Sequence, residues 1–479
     1  MMMNLAGQVQ TLTKDEMQRV HDSACKLLEE KGLAFQSDEA RETMKRHGCR
    51  VDGEMVYIPK ELVEKSWKQC PGTFLLEAMD SKYNVTVGED ILIHPAGGEV
   101  FVLDHDGRRH APSLKDCGDL QTLYQHCENV NIGGFQPLSP GDVPERVKGL
   151  YLTHNAMQKC SKPILSPMEL ETVEKKEEVL KLFDIAYGRE GYLEDHYLTW
   201  HAVCPNSPYL VSQFVSDGIR VYAERNQPII IVSAPMTGIT SPIFLMSTVI
   251  LSIAEMLGCL VYAQLVKPGV PVVMSASLTY GNLRYATWEC ASPDTALMLA
   301  TSIQMFKHFY HLPARAQTGV TSSKVCDFQA GMETMQSFLF SALAGVNLTS
   351  QTVSSLAGLL TSSLEKTVLD DELIGRVRWM VKGMRLDEER WDLGELMEAN
   401  VGQDFLLSDN TLDYMHDYWQ PTVSDWATIE AWEAEGKKDA EQRAHEKVVK
   451  ILAEAPETLL DREQEKAMTD YIRFVEERN

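Results

Sequence analysis

Short apolar runs recur along the middle of the chain, and each is followed by a polar or small-residue turn and a longer stretch with apolar positions at helical spacing. The short runs predict strands and the longer stretches predict helices. Predicted strands cover residues 130–135, 162–166, 197–203, 227–234, 271–276, 313–319 and 346–351, with a weaker candidate at 260–266. Predicted helices cover 145–160, 171–187, 210–226, 241–258, 289–311, 328–344 and 364–384. Strands that alternate with helices in this way indicate a parallel sheet.

The number of strand–helix units separates two α/β folds. About eight such units are typical of a TIM barrel, also written (β/α)8. A doubly wound open sheet is the main alternative, but no G-x-G-x-x-G motif follows the first strand, which weakens a nucleotide-binding fold of that kind. We therefore predict an α/β fold with a (β/α)8 barrel over residues 114–386.

Extensions flank the predicted barrel on both sides. Residues 1–113 are predicted to form an N-terminal helix and hairpin extension, with amphipathic helices at 12–32 and 36–69 and short strands near residues 73, 83 and 99. Residues 387–479 return to charged helical segments and are predicted to form a C-terminal helical extension, packed on the surface or at an interface.

Charge and cysteine content limit the classes of binding partner and the cellular compartment that we expect. The formal net charge of −24 argues against nucleic acid and against anionic membrane surfaces. Ten cysteines at irregular spacings, with no C-x-x-C pair, favour a reducing cytoplasm. The most apolar stretch, residues 245–266, contains Glu255 and a helix-to-strand break at Gly258. We therefore expect a buried helix followed by a strand there, and no membrane span.

Arg315 stands out at the tip of a predicted strand, before a turn of small residues in "LPARAQTGVTSSKVCD" at 312–327. In (β/α)8 barrels the active site lies at the carboxyl ends of the strands. Two roles for this arginine are open on position alone. It can form a structural ion pair with a neighbouring loop carboxylate, or it can grip a ligand carboxylate through two parallel hydrogen bonds.

The other strand ends are rich in aromatic, methionine and amide side chains and contain no carboxylate pair and no nucleophile elbow. No residue is assigned as catalytic. Such a set suits a cation that cannot donate hydrogen bonds, such as a quaternary ammonium. One metal hypothesis uses His201, Cys204, Cys290 and Cys326 as zinc ligands. On a strand the first two would point to opposite faces, so we expect no metal there.

Four stretches together resemble the trimethylamine methyltransferase superfamily. They are "SAPMTGITSP" at 233–242, "LPARAQTGVTSSKVCDFQAGMET" at 312–334, "ALAGVNLTSQTVSSLAGLL" at 342–360 and "TLDYMHDYWQPTVSDWATIEAW" at 411–432. The resemblance covers about residues 10–445. It implies a TIM barrel that transfers a methyl group from an amine to the Co(I) corrinoid (cobalamin) of a separate small protein. No cofactor bound to this chain is therefore expected.

The resemblance implies a non-pyrrolysine member. The archaeal trimethylamine enzymes carry pyrrolysine in the region that matches "SSKVCD" at 322–327, where this chain has ordinary residues. A quaternary ammonium needs no activation by pyrrolysine, because the group that leaves after methyl transfer is a neutral tertiary amine. The implied enzyme is thus a quaternary amine methyltransferase of C1 metabolism, in methanogenesis or acetogenesis, that demethylates a betaine such as glycine betaine, proline betaine or carnitine.

The implied substrate site combines a carboxylate grip with an aromatic cage. Arg315 would bind the substrate carboxylate. Gln351 stands where members specific for glycine betaine tend to have a histidine. The glutamine at this position favours a bulkier betaine. The predicted cage residues are Phe101, Phe135, Trp200 and Tyr280. Expected partners are the cognate corrinoid protein and further copies of the chain in a homo-oligomer. The alternatives are a zinc-dependent methyltransferase that uses another methyl donor and a non-catalytic betaine-binding barrel.

Overall fold

The computed structural model describes residues 4–134, 136–285, 287–391 and 393–478. Its first elements in chain order are α1 Lys14–Lys26, a π-helical turn Leu27–Lys31, β1 Leu33–Phe35, α2 Asp38–Arg46, β2 Arg50–Asp52, β3 Met55–Tyr57 and α3 Lys60–Trp67. Helix α1 begins where Thr13 and Glu16 cap each other reciprocally, which satisfies backbone donors of the first turn. The helix predicted at 12–32 is confirmed.

The continuous helix predicted at 36–69 is wrong, because the antiparallel hairpin β2–β3 separates α2 from α3. The turn of this hairpin contains Gly53 with a φ of +59°, a conformation that favours glycine. Val51 and Val56 face each other across the hairpin, and their β-branched side chains favour a strand over a helix.

The short strands predicted near residues 73, 83 and 99 are confirmed. They are β4 Phe74–Leu76, β5 Val85–Val87 and β6 Phe101–Leu103, and β7 Arg109–His110 pairs with β6. The hairpin β4–β5 places Phe74 and Leu76 in a buried apolar cluster with Trp200, Ile230 and Val273. These last three residues lie at the starts of the central strands, so the hairpin covers the amino-terminal end of the central sheet.

The central region alternates strands with helices. Its elements in chain order are α4 Leu114–His126, α5 Lys148–Lys159, α6 Val173–Ala186, α7 Tyr192–Asp195, β8 His201–Val203, β9 Leu210–Val211, α8 Gln213–Glu224, β10 Ile229–Ser233, β11 Met236–Thr237, α9 Leu245–Val266, β12 Val272–Ala276, β13 Thr279–Asn282, β14 Thr287–Glu289, α10 Pro293–Gln304, a π-helical turn Met305–Phe309, β15 Ala314–Gln317, α11 Phe328–Ala344, β16 Leu348–Ser350, β17 Ser355–Leu356, β18 Thr361–Ser362 and α12 Leu364–Lys382. The helices predicted between residues 145 and 384 are all found, with ends shifted by a few residues except at α9, which continues to Val266.

Five of these strands form a parallel sheet in the order β16-β15-β12-β10-β8. Both faces of the sheet are buried. Ile230 and Val273 point into the inner cluster, whereas Ile229, Ile231 and Val272 pack against the helices. This explains why the strands have continuous apolar runs. The predicted α/β fold with a parallel sheet is confirmed.

The strands predicted at 130–135 and 162–166 are represented by a single parallel bridge between Gly133 and Ile164. A backbone hydrogen bond from Ser166 to the carbonyl of Trp200 continues the connection toward β8. Phe135 lies outside the described residues. These two stretches therefore pair in sequence order beside the five-stranded sheet, without regular strand geometry.

A stretch that we predicted to be part of the N-terminal extension also pairs with the sheet. Leu92 forms a parallel bridge with Leu348 of β16. The amides of Asn131 and Ile132 donate to the carbonyl oxygen of Ile93. Residues 91–94 therefore connect the far edge of the sheet to the 131–133 stretch. The division into 1–113, 114–386 and 387–479 stays a prediction.

The weaker strand candidate at 260–266 is wrong, because α9 continues without a break to Val266. Gly258 does not end this helix. A Cβ at Gly258 would lie 2.3 Å from Leu33 Cδ1, so the glycine allows α9 to approach β1 closely. Helix α9 is long and apolar enough to cross a membrane, but most of it is buried inside the protein. Its apolar sequence is thus accounted for by core packing, as expected for residues 245–258.

Two small sheets lie beyond the carboxyl ends of the parallel strands. One contains β11, β13 and β14, and the other contains β17, β18, β6 and β7. The parallel pairing of β18 with β6 aligns Thr361 with Phe101. The two sheets approach each other, since a Cβ at Gly358 would lie 3.7 Å from Nε1 of Trp288. We call these two sheets the mouth sheets.

The C-terminal part is helical, as predicted. Its helices are α13 Gly394–Glu398, α14 Asp409–Tyr414, α15 Ile429–Ala434, α16 Ala440–Glu454 and α17 Arg462–Glu477. Helix α16 packs through Ala444 and Val448 against Leu123 and Val368. The segment between α12 and α16 exposes large apolar side chains, among them Trp391, Leu396, Met397, Leu406 and Leu407. We call residues 393–430 the apolar arm.

Candidate functional site

Arg315 is the second residue of β15, so it precedes the tip at which the sequence predicted it, but it lies level with the carboxyl-terminal parts of the neighbouring strands. The register aligns Arg315 of β15 with Ser275 of β12, and Ser275 with Val232 of β10. These positions follow the apolar residues of the inner cluster along each strand, so the interior changes from apolar to polar at this level. Parallel strands bring their carboxyl ends to one edge, which makes this edge the candidate site.

Arg315 is buried and carries its charge without an acidic partner. Its Nη1 donates to Ser275 Oγ at 2.6 Å. Its Nε has no hydrogen-bond partner, and no acidic side chain of the described residues forms a salt bridge with it. Burial lowers the pKa of the guanidinium to about 9, which still leaves it charged at neutral pH. A buried charge without a partner is costly, so this group is suited to receive an anion.

His94 and Cys204 lie close enough to Arg315 to interact with it electrostatically. Burial lowers the pKa of His94 well below its ordinary value, and the positive charge of Arg315 lowers it further. Burial raises the pKa of the Cys204 thiol to about 12. Both side chains are therefore neutral near pH 7, and neither compensates the charge of Arg315.

Further buried polar atoms at the carboxyl side of the strands have no hydrogen-bond partner in the described part of the chain. They are both oxygens of Glu99, both amide atoms of Gln136, Nε2 of Gln317, Oγ1 of Thr349 and Oγ of Ser355. Buried polar groups are nearly always paired in folded proteins. A group of unpaired ones at the carboxyl ends of parallel strands is typical of a site that binds a polar ligand or ordered water.

Glu99 is a buried acidic group on the carboxyl side of the strands. It follows the 91–94 stretch and is fully buried. Burial raises the pKa of its carboxyl group to about 8. The carboxyl is therefore mainly protonated at neutral pH when no cation is near. An approaching cation would favour the ionised form.

Two of the predicted cage residues lie on the mouth sheets. Tyr280 is on β13 and is half-buried, with its backbone paired to Glu289 and Thr237. Phe101 is on β6, and the guanidinium of Arg109 lies 4.0 Å from the centre of its ring. One face of the Phe101 ring is therefore already occupied by a cation from the protein itself.

The remaining predicted residues lie in different surroundings. Gln351 directly follows β16, is half-buried and adopts a φ of +60°. Trp200 is fully buried in the inner apolar cluster and precedes the first residue of β8, at the amino-terminal end of the sheet. The structure thus places Arg315, Gln351, Tyr280 and Phe101 on the mouth side, and Trp200 in the apolar core. Phe135 belongs to the residues that the structure does not describe.

The four residues considered as zinc ligands do not form a metal site. His201 stacks on Tyr222 at 4.4 Å, on the helix side of β8, and burial lowers its pKa to about 3. Cys204 lies instead near Arg315 and Glu255. Within the described ranges, the group of histidine, cysteine and acidic side chains close enough to share a metal contains none of the four.

Sequence reasoning missed His94, Glu99 and Gln317 as candidate site residues. The apolar run "ILIHP" at 91–95 carried the signal for the first two, since a histidine follows a strand-like run there. The run was assigned to the extension because it is short and precedes a hairpin. Gln317 follows Arg315 at a spacing of two on the same strand, so both point to one face of the sheet.

Comparisons with known proteins find relatives over nearly the whole chain. The family model described as trimethylamine methyltransferase (MTTB) matches residues 1–478. A glycine betaine methyltransferase of Desulfitobacterium hafniense (strain Y51) is 30% identical over 463 residues, which cover 96% of this chain and 96% of that protein. The trimethylamine methyltransferase MttB of Methanosarcina thermophila is 28% identical and covers 92% of each chain.

The solved structures support the fold alone. The monomethylamine methyltransferase MtmB of Methanosarcina barkeri superposes with a TM-score of 0.56 at 12% identity, over 94% of this chain and 89% of that chain. The hydroxylamine complex of MtmB gives a TM-score of 0.57. The match of the family model over nearly the whole length, together with a relative at 30% identity, identifies the class of enzyme. The chain is a methyltransferase and belongs to the trimethylamine methyltransferase (MTTB) family.

Proposed function

We propose that this protein transfers a methyl group from a betaine-type quaternary amine to the Co(I) corrinoid of a separate corrinoid protein. Candidate substrates are glycine betaine, proline betaine and carnitine, which all join a quaternary nitrogen to a carboxylate. The name of the glycine betaine relative supports a betaine substrate, and Gln351 supports a bulkier betaine than glycine betaine. The buried guanidinium of Arg315, which has no acidic partner among the described residues, is the observation that carries the proposal.

Arg315 would bind the carboxylate of the substrate. Its Nε is unpaired, and Nη1 is held by Ser275, so the guanidinium is oriented before the ligand arrives. A bidentate pair with a carboxylate would supply the missing counter-charge in a dry site, where such pairs are strongest. The unpaired Nε2 of Gln317, two residues along the same strand, offers a second donor to the same group.

Glu99 and the ring of Tyr280 would face the quaternary nitrogen. A quaternary ammonium has no N–H to donate, so it is held by charge and by ring faces. Glu99 carries no counter-ion of its own within the described residues, and a bound cation would stabilise its ionised form. The site would thus offer a positive and a negative group to a zwitterion of zero net charge.

The proposed methyl transfer requires little acid–base catalysis by this chain. The C–N bond breaks as the methyl group moves to the nucleophilic cobalt that the partner supplies, and the electron pair stays on nitrogen in a neutral tertiary amine. No proton has to move in this step. This chain would bind the amine, align one N-methyl group with the mouth and exclude water. We propose that neither a corrinoid nor a metal is resident at this site.

We further propose that the central region is a complete (β/α)8 barrel. The five-stranded parallel sheet would be extended by the 91–94, 131–133 and 163–166 stretches. Support comes from the parallel bridges Leu92–Leu348 and Gly133–Ile164 and from the hydrogen bonds of Ile93 to the 131–132 amides. These contacts run around from β16 back to β8, which is the connectivity of a closed barrel.

The corrinoid protein would dock over the mouth sheets. Exposed apolar side chains surround this edge of the protein, namely Ile243, Phe244, Leu283, Phe328 and Leu360. Contiguous exposed apolar residues mark interaction surfaces. The apolar arm would serve a different contact, between copies of this chain in a homo-oligomer. We place the enzyme in the cytoplasm, where its ten free cysteines would stay reduced.

The proposal is tested by methyl transfer in a reconstituted system. The purified chain is mixed with its cognate corrinoid protein in the Co(I) state and with each betaine in turn, and the absorbance of the methylated corrinoid is followed. We expect turnover with at least one betaine and none with trimethylamine. Trimethylamine turnover without betaine turnover would overturn the proposal. Tight betaine binding with no methylation of the cognate corrinoid protein would favour the non-catalytic barrel instead.

A further inference from the structure

Three side chains with metal-ligating atoms meet beside the mouth sheets, although they come from distant parts of the sequence. His105 lies in the turn between β6 and β7, Glu365 lies in the first turn of α12, and His445 lies on α16. Their ligand atoms all lie within 4.8 Å of one another. Three separate elements thus converge on one point, outside the candidate substrate site.

The contacts within this group are close. The imidazole rings of His105 and His445 are stacked at 3.8 Å between centroids, with an interplanar angle of 12°. Nδ1 of His445 lies 2.8 Å from Oε1 of Glu365. Glu365 is buried, and its other oxygen accepts a hydrogen bond from Ser363 at 3.1 Å. No lysine or arginine of the described residues forms a salt bridge with Glu365.

The group whose ligand atoms meet within 4.8 Å consists of His105, Glu365 and His445. Two imidazoles and one carboxylate form a mixed nitrogen and oxygen donor set. Such a set leaves the fourth position of a tetrahedral ion open to water.

We propose that His105, Glu365 and His445 bind one divalent transition-metal ion, with Zn²⁺ as the favoured occupant. Zn²⁺ takes histidine and carboxylate ligands in a tetrahedron with bonds of about 2.0–2.1 Å, and water can fill the fourth position. The two stacked imidazoles are nearly parallel, so both cannot direct a ring nitrogen at one ion as they stand. The exposed side chain of His105 has to rotate out of this stack when the ion binds.

The ion would act as a clamp between the mouth and the C-terminal extension. His105 sits at the tip of the β6–β7 hairpin, which pairs with β18 and follows Glu99 in the chain. His445 lies on α16, and Glu365 lies in the first turn of α12. A metal ion at this point would link the mouth sheet to α12 and α16. This proposal differs from the expectation from the sequence, which was that the chain binds no metal. The inference does not depend on the proposed substrate.

Metal binding is tested on the full-length chain after dialysis against a chelator. Zn²⁺ is titrated by calorimetry at pH 7.5, and the melting temperature is measured with and without the ion. We expect one equivalent of Zn²⁺ to bind and to raise the melting temperature. His105→Gln and His445→Gln should each weaken binding by about 100-fold, and the shift in melting temperature should vanish.

His416→Gln is the matched control, because His416 is an exposed histidine of the C-terminal extension outside this group. It should bind Zn²⁺ as the wild type does. Co²⁺ added to the wild type should give the visible absorption of a four-coordinate ion, and His445→Gln should lose it. Failure of the wild type to bind one equivalent, or unchanged Zn²⁺ affinity in both cluster variants, would overturn the inference.

Discussion

Arg315 Nη1 donates to Ser275 Oγ at 2.6 Å, between adjacent parallel strands of the central sheet. This hydrogen bond fixes one edge of the guanidinium and leaves Nε unpaired. Ser275 is neutral, so the bond orients Arg315 without balancing its charge. The pair therefore prepares the arginine for an anion that the described residues do not provide.

Arg315→Ala should remove betaine binding with little loss of stability. A charge-assisted bidentate pair contributes about 2–4 kcal/mol to binding, so the affinity should fall about 30- to 1000-fold. The melting temperature should stay constant or rise, because a buried charge without a partner is removed. Arg315→Lys should restore affinity only in part, since the planar fork is lost. Calorimetry with each betaine and thermal unfolding measure the two effects.

Arg378→Ala is the control for an arginine with a structural role. Arg378 is a half-buried arginine, and its Nη2 donates to the carbonyl oxygen of Ile91 at 2.6 Å. This variant should lower the melting temperature, because the Ile91 carbonyl loses its donor. A large loss of stability in Arg315→Ala together with normal betaine affinity would assign Arg315 a structural role.

Glu99→Gln should change how stability depends on pH. The pKa of Glu99 is raised to about 8 in the folded protein, so the folded state holds its proton above the ordinary pKa of 4.5. The folded state therefore binds more protons than the unfolded state between about pH 4.5 and 8, and the wild type loses stability as the pH rises through this window. The full effect is up to about 5 kcal/mol. The glutamine variant has no carboxyl group at this position and should lack this pH dependence.

The difference in melting temperature between Glu99→Gln and wild type measures this effect, because other titrating groups are common to both proteins. It should increase in favour of the variant from pH 5 to pH 8.5. A difference that is constant over this range would mean that Glu99 keeps an ordinary pKa. Betaine affinity should fall in the variant, since the negative charge near the ammonium is lost.

Tyr280→Ala should weaken betaine binding more than Phe101→Ala. A desolvated ring against an ammonium contributes about 1–2 kcal/mol, or about 5- to 30-fold in affinity. One face of Phe101 is already taken by Arg109, so its ring is less available. Tyr285→Ala is the control, because Tyr285 is exposed near β13 and has Arg284 over its own ring. Equal affinities in the Tyr280 and Tyr285 variants would remove Tyr280 from the cage.

Gly218→Ala should destabilise the fold. A Cβ at Gly218 in α8 would lie 2.9 Å from His201 Cδ2 and 2.9 Å from Val203 Cγ1, so α8 and β8 have to separate. Such overpacking costs about 1–3 kcal/mol. Gly331→Ala in α11 meets nothing within 4 Å and should stabilise by up to about 1 kcal/mol. Chemical denaturation of both variants tests the pair, and equal effects would contradict the packing of His201 on α8.

The sequence predicted most of the fold because burial on both faces gives the parallel strands a continuous apolar pattern. The same pattern misled us at 260–266, where a fully buried helix is as apolar as a strand. It also hid the pairing of Leu92, because a two-residue contact leaves almost no periodicity. Elements that depend on a single distant contact cannot be recognised from local pattern alone.

The candidate site was predicted unevenly for a similar reason. Arg315 could be found, since a lone arginine at the end of an apolar run is rare and its charge has to be explained. Glu99 and His94 were missed, because the short run before them resembles part of the extension and the sequence does not reveal that both are fully buried. Trp200 was chosen for its ring, but its position before β8 places it in the apolar core.

The bridge between Leu92 and Leu348 has a consequence for the order of folding during synthesis. The two residues are separated by more than half of the chain. The ribosome therefore releases the 91–94 stretch long before its partner strand β16 exists. Until then the 91–94 stretch has no partner on that side. Contacts of such long range form late, so closure of this edge should be among the last steps of folding and the step most exposed to aggregation.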